Sequence, residues 1–431
     1  MNWILAIPLE VRLVALFALG AVVGSWLNLA IYTLAWNPRP ISPWSNAPFG
    51  VPRRTIHNRV PIVGWWGLRR ETDLHGPGFW IRPMLIEIGV GACLAALYWW
   101  ECAERGLFLP PLPIAPPMEA FLNNDWTAIV HMQFAAHGLL FMLMLVASFI
   151  DIDEKIIPDT ITVPGTLAGL LLAMISPWSL LPGNSWQING ALPQYEFLTI
   201  ASPNPWPVAL QGMPNIGSLV MALTCWWGWC YAIMPRRWMT RRGLAMAFKV
   251  LSARLRREPL TWWIAGLGMV GSAAIFGVWQ FSPPSAWAGL FTAMVGMAVS
   301  GGMIWLVRVI SSRVLEREAM GFGDVTLMAM VGAFIGWQAS LITFFLAPFA
   351  GLLVGIVQWF LHRDNEIPYG PFLCLGAAFV VVCWAGVWQS AEPYFALGWL
   401  IPVVIGFCMV LMGVLLGAWL AIRGMFEQPE K

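Results

Sequence analysis

A chain of 431 residues that is 59% hydrophobic and 11% charged, with 28 tryptophans, cannot close a water-soluble surface around itself. Its formal net charge of +2 leaves no electrostatic footprint for nucleic acid. The composition predicts an all-α fold, a polytopic integral membrane bundle, in which each helix needs about twenty apolar residues to cross a core of roughly 30 Å.

The first such run, 11–35, has no basic segment before it and no small-residue cleavage site, so it reads as a retained helix rather than a removed signal. It carries the string Gly24-Ser25-Trp26-Leu27-Asn28-Leu29-Ala30-Ile31-Tyr32. Residues 36–82 follow as an irregular lobe rich in arginine, proline and tryptophan. A second run at 83–101 leads into a proline-rich loop, 102–126. The third run, 127–150, is followed directly by Asp151 in SFIDIDEKIIPDTIT (148–162). Within it Asp153 and Glu154 read as exposed loop charges, and Asp159 as the N-cap of the next run, 160–178.

The loop 179–214 contains no Lys or Arg, and a run at 215–234 comes next. The stretch 236–258 mixes arginine with apolar residues, which fits either an amphipathic helix on an anionic leaflet or a solvated loop. Runs at 260–281 and 287–310 precede a second acidic string, EAMGFGDVTLMAMVG (318–332), with Gly321, Gly323 and Asp324. The remaining runs are 325–338, 340–361, 371–389 and 397–422, giving about eleven spans.

Threading these spans alternately through a bilayer with the N-terminus outside puts every Lys and Arg except Arg12 and Arg105 on the inside, as positive loops require. Asp151 and Asp324 then emerge at the same, cytoplasmic face. An ionised carboxylate at mid-membrane costs about 2.5–3.5 kcal/mol on insertion scales, which marks acids at membrane depth as functional. Two acids sharing one site divide the work of an aspartic protease: the ionised one takes a proton from a held water, and the protonated one supports the oxyanion formed when that water attacks a peptide carbonyl. No HExxH string is present, and the seven cysteines, Cys93, Cys102, Cys225, Cys230, Cys374, Cys383 and Cys408, form no CxxC pair.

Four strings in order resemble those of the type IV prepilin leader peptidases, which are GxGD-type intramembrane aspartic proteases. They are the Gly24–Tyr32 string, Asp151 to Thr162, Glu318 to Asp324, and Ile367-Pro368-Tyr369-Gly370-Pro371-Phe372-Leu373. The resemblance implies a bacterial inner-membrane endopeptidase, with its N-terminus outside and its C-terminus cytoplasmic, that removes the leader of prepilins or pseudopilins at the cytoplasmic face. It implies Asp151 and Asp324 as the catalytic pair, with Gly321, Gly323, Glu318, Gly370 and Pro371 in support. The partners implied are those substrates and the lipid bilayer, without nucleic acid.

Departures from the pattern narrow these expectations. Many members carry two CxxC pairs in the first cytoplasmic loop. Here the flanking strings Asn58-Arg59-Val60-Pro61 and Arg82-Pro83-Met84-Leu85-Ile86-Glu87 stand without cysteine, so no thiolate zinc site is expected. His57, Glu71, Asp73 and His75 are read as solvated surface groups rather than metal ligands. Proteolysis requires no cofactor, whereas S-adenosylmethionine enters if N-methylation is retained. Thr33 and Thr326 stand where many members have Arg and Lys, and weaken the case for methylation.

The expected division is a first transmembrane helix at 1–35, a cysteine-free lobe at 36–82, and helices carrying the first aspartate at 83–180. An insertion at 181–285 adds an external loop, two spans and a basic segment, before helices with the GxGD string at 286–431. The rival readings are a transporter or channel using interfacial aspartates, and a related protease with a different substrate.

Overall fold

The computed structural model describes residues 6–39, 41–45, 54–108, 126–186, 194–212, 214–234, 259–316, 320–360 and 368–426. Its helices in chain order are α1 (Leu9–Leu34), α2 (Val63–Leu68), α3 (Ile81–Tyr98), α4 (Trp126–Glu154), α5 (Asp159–Ile175), α6 (Ile216–Ala232), α7 (Pro259–Phe281), α8 (Pro284–Leu315), α9 (Phe322–Phe360), α10 (Gly370–Val382), α11 (Trp384–Phe395) and α12 (Leu400–Phe426). Short strands β1 (Pro182–Trp186) and β2 (Gln194–Phe197) form a two-stranded sheet inside the segment expected to be an external loop. The 236–258 segment, most of the 102–126 loop and Glu318 lie outside the described residues.

The fold is a polytopic all-α membrane protein. Among the described residues, seven helices are long and apolar enough to cross a bilayer, or eight if α10 and α11, bent by 94° at Cys383, count as one span. The sequence reading of about eleven differs for local reasons. Helices α5 and α6 are apolar but only 17 residues long, about 26 Å at the helical rise. The runs 325–338 and 340–361 form one helical element, α9, broken at Gly336 by φ 77° and ψ 173°.

The chain forms two compact units. The first comprises Met1–Gly165, Ser185–Glu196 and Leu341–Tyr394. Its closest helix pair is α1 with α3. A Cβ on Gly20 would lie 2.7 Å from Gly91 Cα, and one on Gly24 would lie 2.8 Å from Glu87 Cα. In lipid, where no hydrophobic gain drives helices together, such small-residue stripes let backbones touch and gain dispersion contacts instead.

That approach brings Glu87, wholly buried, into a socket of donors. Its Oε1 accepts from Ser25 Oγ at 2.6 Å and from Trp65 Nε1 at 2.8 Å, and its Oε2 from the Ile62 backbone N–H at 2.5 Å. The same side chain thus joins both strings flanking the lobe, with Asn28 Nδ2 bonded nearby to Pro83 O at 2.9 Å. Ile62 sits at φ 66°, a conformation that a β-branched residue rarely adopts and that its surroundings must enforce.

Lobe residues 54–75 close around a buried Arg54–Glu71 ion pair at 2.6 Å. A second buried pair, His137 Nδ1 with Glu101 Oε1 at 2.8 Å, ties α4 to the π-helical turn Trp99–Ala103.

The second unit comprises Thr166–Asn184, Phe197–Ser340 and Phe395–Lys431. Helix α8 is its axis, with Trp287, Phe291 and Met294 fully buried and Trp287 Nε1 donating to Ser218 Oγ of α6 at 3.0 Å. Asn215 caps α6 through a reciprocal box with Ser218. The loop after β2 is pinned by Trp337 Nε1 to Ile200 O at 3.0 Å and Gln338 Nε2 to Thr199 O at 2.6 Å. Helix α12 buries no residue of its most apolar stretch, and packs on α8 where a Cβ on Gly413 would lie 3.2 Å from Ile310 Cγ2. Cys408 on α12 is an exposed thiol, as are Cys93 on α3 and Cys383 at the bend between α10 and α11 in the first unit.

Candidate active site

Asp151 occupies the last turn of α4 and is 4% exposed. The backbone amide of Gly370, the first residue of α10, is turned toward its carboxyl group, one of the orphan N–H groups that every helix start presents. Carboxyl Oδ2 nevertheless has no hydrogen-bonded partner. The approach is possible because residue 370 is glycine: a Cβ there would lie 2.5 Å from Asp151 Oδ2 and 2.9 Å from Ile157 Cδ1. Pro371 follows in the first turn of α10, where its missing N–H costs no helical bond and its fixed φ suits the helix start.

Asp153 and Glu154, expected as exposed loop charges, belong to the last turn of α4; Asp153 is exposed and Glu154 half-buried, and both are engaged. Both oxygens of Asp153 accept from Arg82 Nη1, at 2.8 and 2.9 Å. Glu154 accepts from the backbone N–H groups of Trp36 and Asn37, at 2.5 and 2.8 Å. Acids at a helix C-terminus are disfavoured by its dipole, and these donors offset that cost while fixing the turn that presents Asp151. Lys155, at φ 56°, ends the helix.

Asp324 is the third residue of α9, in the second unit, and is 7% exposed. An acid in a first turn complements the positive end of the helix dipole. Gly321 precedes the helix and Gly323 lies within its first turn; Thr326 Oγ1 returns a bond to Gly323 O at 3.1 Å. Arg308 of α8, which the sequence reading used only for sidedness, anchors this entry by donating from Nε to Met320 O at 2.9 Å. In the first unit, therefore, Asp151, Gly370 and Pro371 are brought together across more than 200 positions. In the second, Gly321, Gly323 and Asp324 form one helix entry.

Arg308 was missed as a residue that shapes the site, and Glu87 as the residue that seats the lobe. An acid inside the apolar run 83–101 was the available signal for Glu87. Among the described residues, no three His, Cys, Asp or Glu side chains are arranged to hold a metal ion. Glu71 is committed to Arg54.

Residues 251–356, about a quarter of the chain, match the type IV leader peptidase family, and the Gly321–Asp324 entry lies inside the match. The chain is also similar to the prepilin leader peptidase/N-methyltransferase of Pseudomonas putida, 30% identical over 140 residues covering 29% of this chain and 48% of the relative. It is 26% identical to that of Xanthomonas campestris pv. campestris over 210 residues, covering 48% and 68%. With Aeromonas hydrophila the identity is 30% over 155 residues, covering 33% and 52%. The chain spans about half the length of the first of these relatives. No solved structure matches it.

Proposed function

We propose that this protein is a membrane-embedded aspartic endopeptidase of the inner membrane that removes the leader of a type IV prepilin or pseudopilin at the cytoplasmic face. The observation that carries the reading is Asp324, a nearly buried acid in a GxGD helix entry inside the stretch that matches the leader peptidase family. Asp151 is the second acid of the proposed pair. Its unpartnered Oδ2 is an atom that a substrate-activating water would satisfy.

In the proposed reaction one ionised aspartate removes a proton from that water, which attacks the scissile carbonyl. The protonated aspartate donates to the developing oxyanion, and the proton then passes to the leaving amine. A prepilin suits this site, since its basic leader lies in the cytosol and its apolar helix in the bilayer, leaving the scissile bond at the interface. Gly321, Gly323, Gly370 and Pro371, with Glu318, serve as supporting residues.

Proteolysis of this kind needs no cofactor. The relatives' name couples cleavage to N-methylation, but we confine the proposal to cleavage because Thr33 and Thr326 replace basic residues of the family pattern. Co-expression with a candidate prepilin tests it: Asp151→Asn and Asp324→Asn are each expected to insert normally and leave the leader uncut. Cleavage retained in both would refute the mechanism. The mass of the mature N-terminus reports methylation separately, and an unmodified amine is expected.

A further inference from the structure

Within the first unit, α3 and α4 leave an open groove of about 590 Å³ between them. Its walls are Ile81, Leu85 and Gly89 of α3 and Leu145 and Phe149 of α4, with Arg82 at one end. Ile81, Leu85 and Gly89 recur every four residues, so they form a single stripe on α3. Gly89 leaves that stripe hollow, because a Cβ there would meet nothing within 4 Å. Phe149 and Asp151 stand about 200° apart around α4. The groove is therefore on another face of the helix from the catalytic acid.

The mouth of the groove carries two opposite charges. Arg82, second residue of an apolar span, sits where a headgroup would be. Its guanidinium lies 4.7 Å from the Phe149 ring centre, while Nη1 holds Asp153 and Nη2 donates one of its hydrogens to Phe149 O at 3.4 Å. The two side chains remain 34% and 21% exposed, and an arginine has five N–H donors, so both are reachable from the headgroup layer.

We propose that this groove binds a zwitterionic phospholipid with a primary-ammonium headgroup, the phosphoethanolamine class. One acyl chain fills the apolar stripe, the phosphate takes the Arg82 N–H groups not committed to Asp153 or to Phe149 O, and the ammonium donates to Asp153. An apolar groove gains little by exchanging one acyl chain for another, since the surrounding lipid is equally apolar. Selection must therefore come from the headgroup. A choline headgroup offers Asp153 no N–H, and a net-anionic glycerol headgroup sets its charge against that carboxylate with no ammonium to compensate.

The test uses the full chain, purified in mild detergent and incubated with an equimolar mixture of dioleoyl phosphatidylethanolamine, phosphatidylcholine and phosphatidylglycerol. Native mass spectrometry then counts retained lipids. The wild type is expected to keep one phosphatidylethanolamine with a preference of at least about tenfold, equivalent to about 1.4 kcal/mol. Gly89→Phe, and independently Leu85→Trp at a position already 57% exposed, are expected to lose it. Gly406→Phe on α12, where a Cβ also meets nothing within 4 Å, is expected to keep it. Asp153→Asn should abolish the preference. Equal retention of all three lipids by the wild type, a preference for phosphatidylglycerol, or undiminished retention in both groove-filling variants would each overturn the proposal and leave only non-selective annular lipid.

Discussion

Glu87 is a carboxylate with no exposed surface whose cost of burial is met by three donors from two separate segments, α1 and the lobe. Glu87→Ala would strand Ser25 Oγ, Trp65 Nε1 and the Ile62 N–H, at about 1–3 kcal/mol for each unsatisfied buried group. Thermal unfolding in detergent should show a loss of several kcal/mol. Glu87→Gln should cost less, because its amide oxygen still accepts. Equal losses would mean that the hydrogen bonds are not what holds the lobe.

Gly370 makes a narrower prediction. A methyl group 2.5 Å from Asp151 Oδ2 must displace the acid, and an ångström-scale misplacement of a reacting group costs on the order of 100-fold in rate. Gly370→Ala should therefore insert normally and cleave at least tenfold more slowly. Asp151 and Asp324 themselves were readable from the sequence, because each acid directly follows an apolar run or opens one. Glu87's partners were not, since Ser25 and Trp65 lie 62 and 22 positions away and only folding makes them neighbours.

At the scale of helices, span length was the legible quantity and span direction was not. An apolar window records how many residues lipid can accept, but it holds no term for a 94° turn at Cys383 or for a positive φ at Gly336. The lobe between α1 and α3, expected to be irregular, carries four short helical segments between Ile56 and His75, and the contact that seats it depends on the spacing of Gly20 and Gly24 along α1. Gly20→Val would push a side chain against the backbone of Gly91. Overpacking of this sort costs about 1–3 kcal/mol. Limited proteolysis should report it as faster cutting within residues 54–75, with no change if α1 and α3 can slide apart freely.

For the whole molecule, the structure gives each aspartate its own compact unit, Asp151 in the first and Asp324 in the second. Composition specified a membrane protein, while the charge of the loops, summed over the chain, predicts a sidedness. Reporter fusions check the sidedness: phosphatase joined at residue 115 or 190 is expected to be active, and a fluorescent protein joined at 245 to fluoresce. The reverse pattern would put both acids on the wrong side for a cytosolic leader.

The exposed thiols of Cys93 on α3, Cys408 on α12 and Cys383 at the bend between α10 and α11 form no disulfide. They amount to a ready-made set of depth gauges. Maleimide adds to the thiolate, and a thiol in hydrocarbon stays protonated, so labelling in intact vesicles should slow with depth and be fastest for a thiol nearest the headgroup layer. The protein can thus be mapped against the membrane normal without a single engineered cysteine.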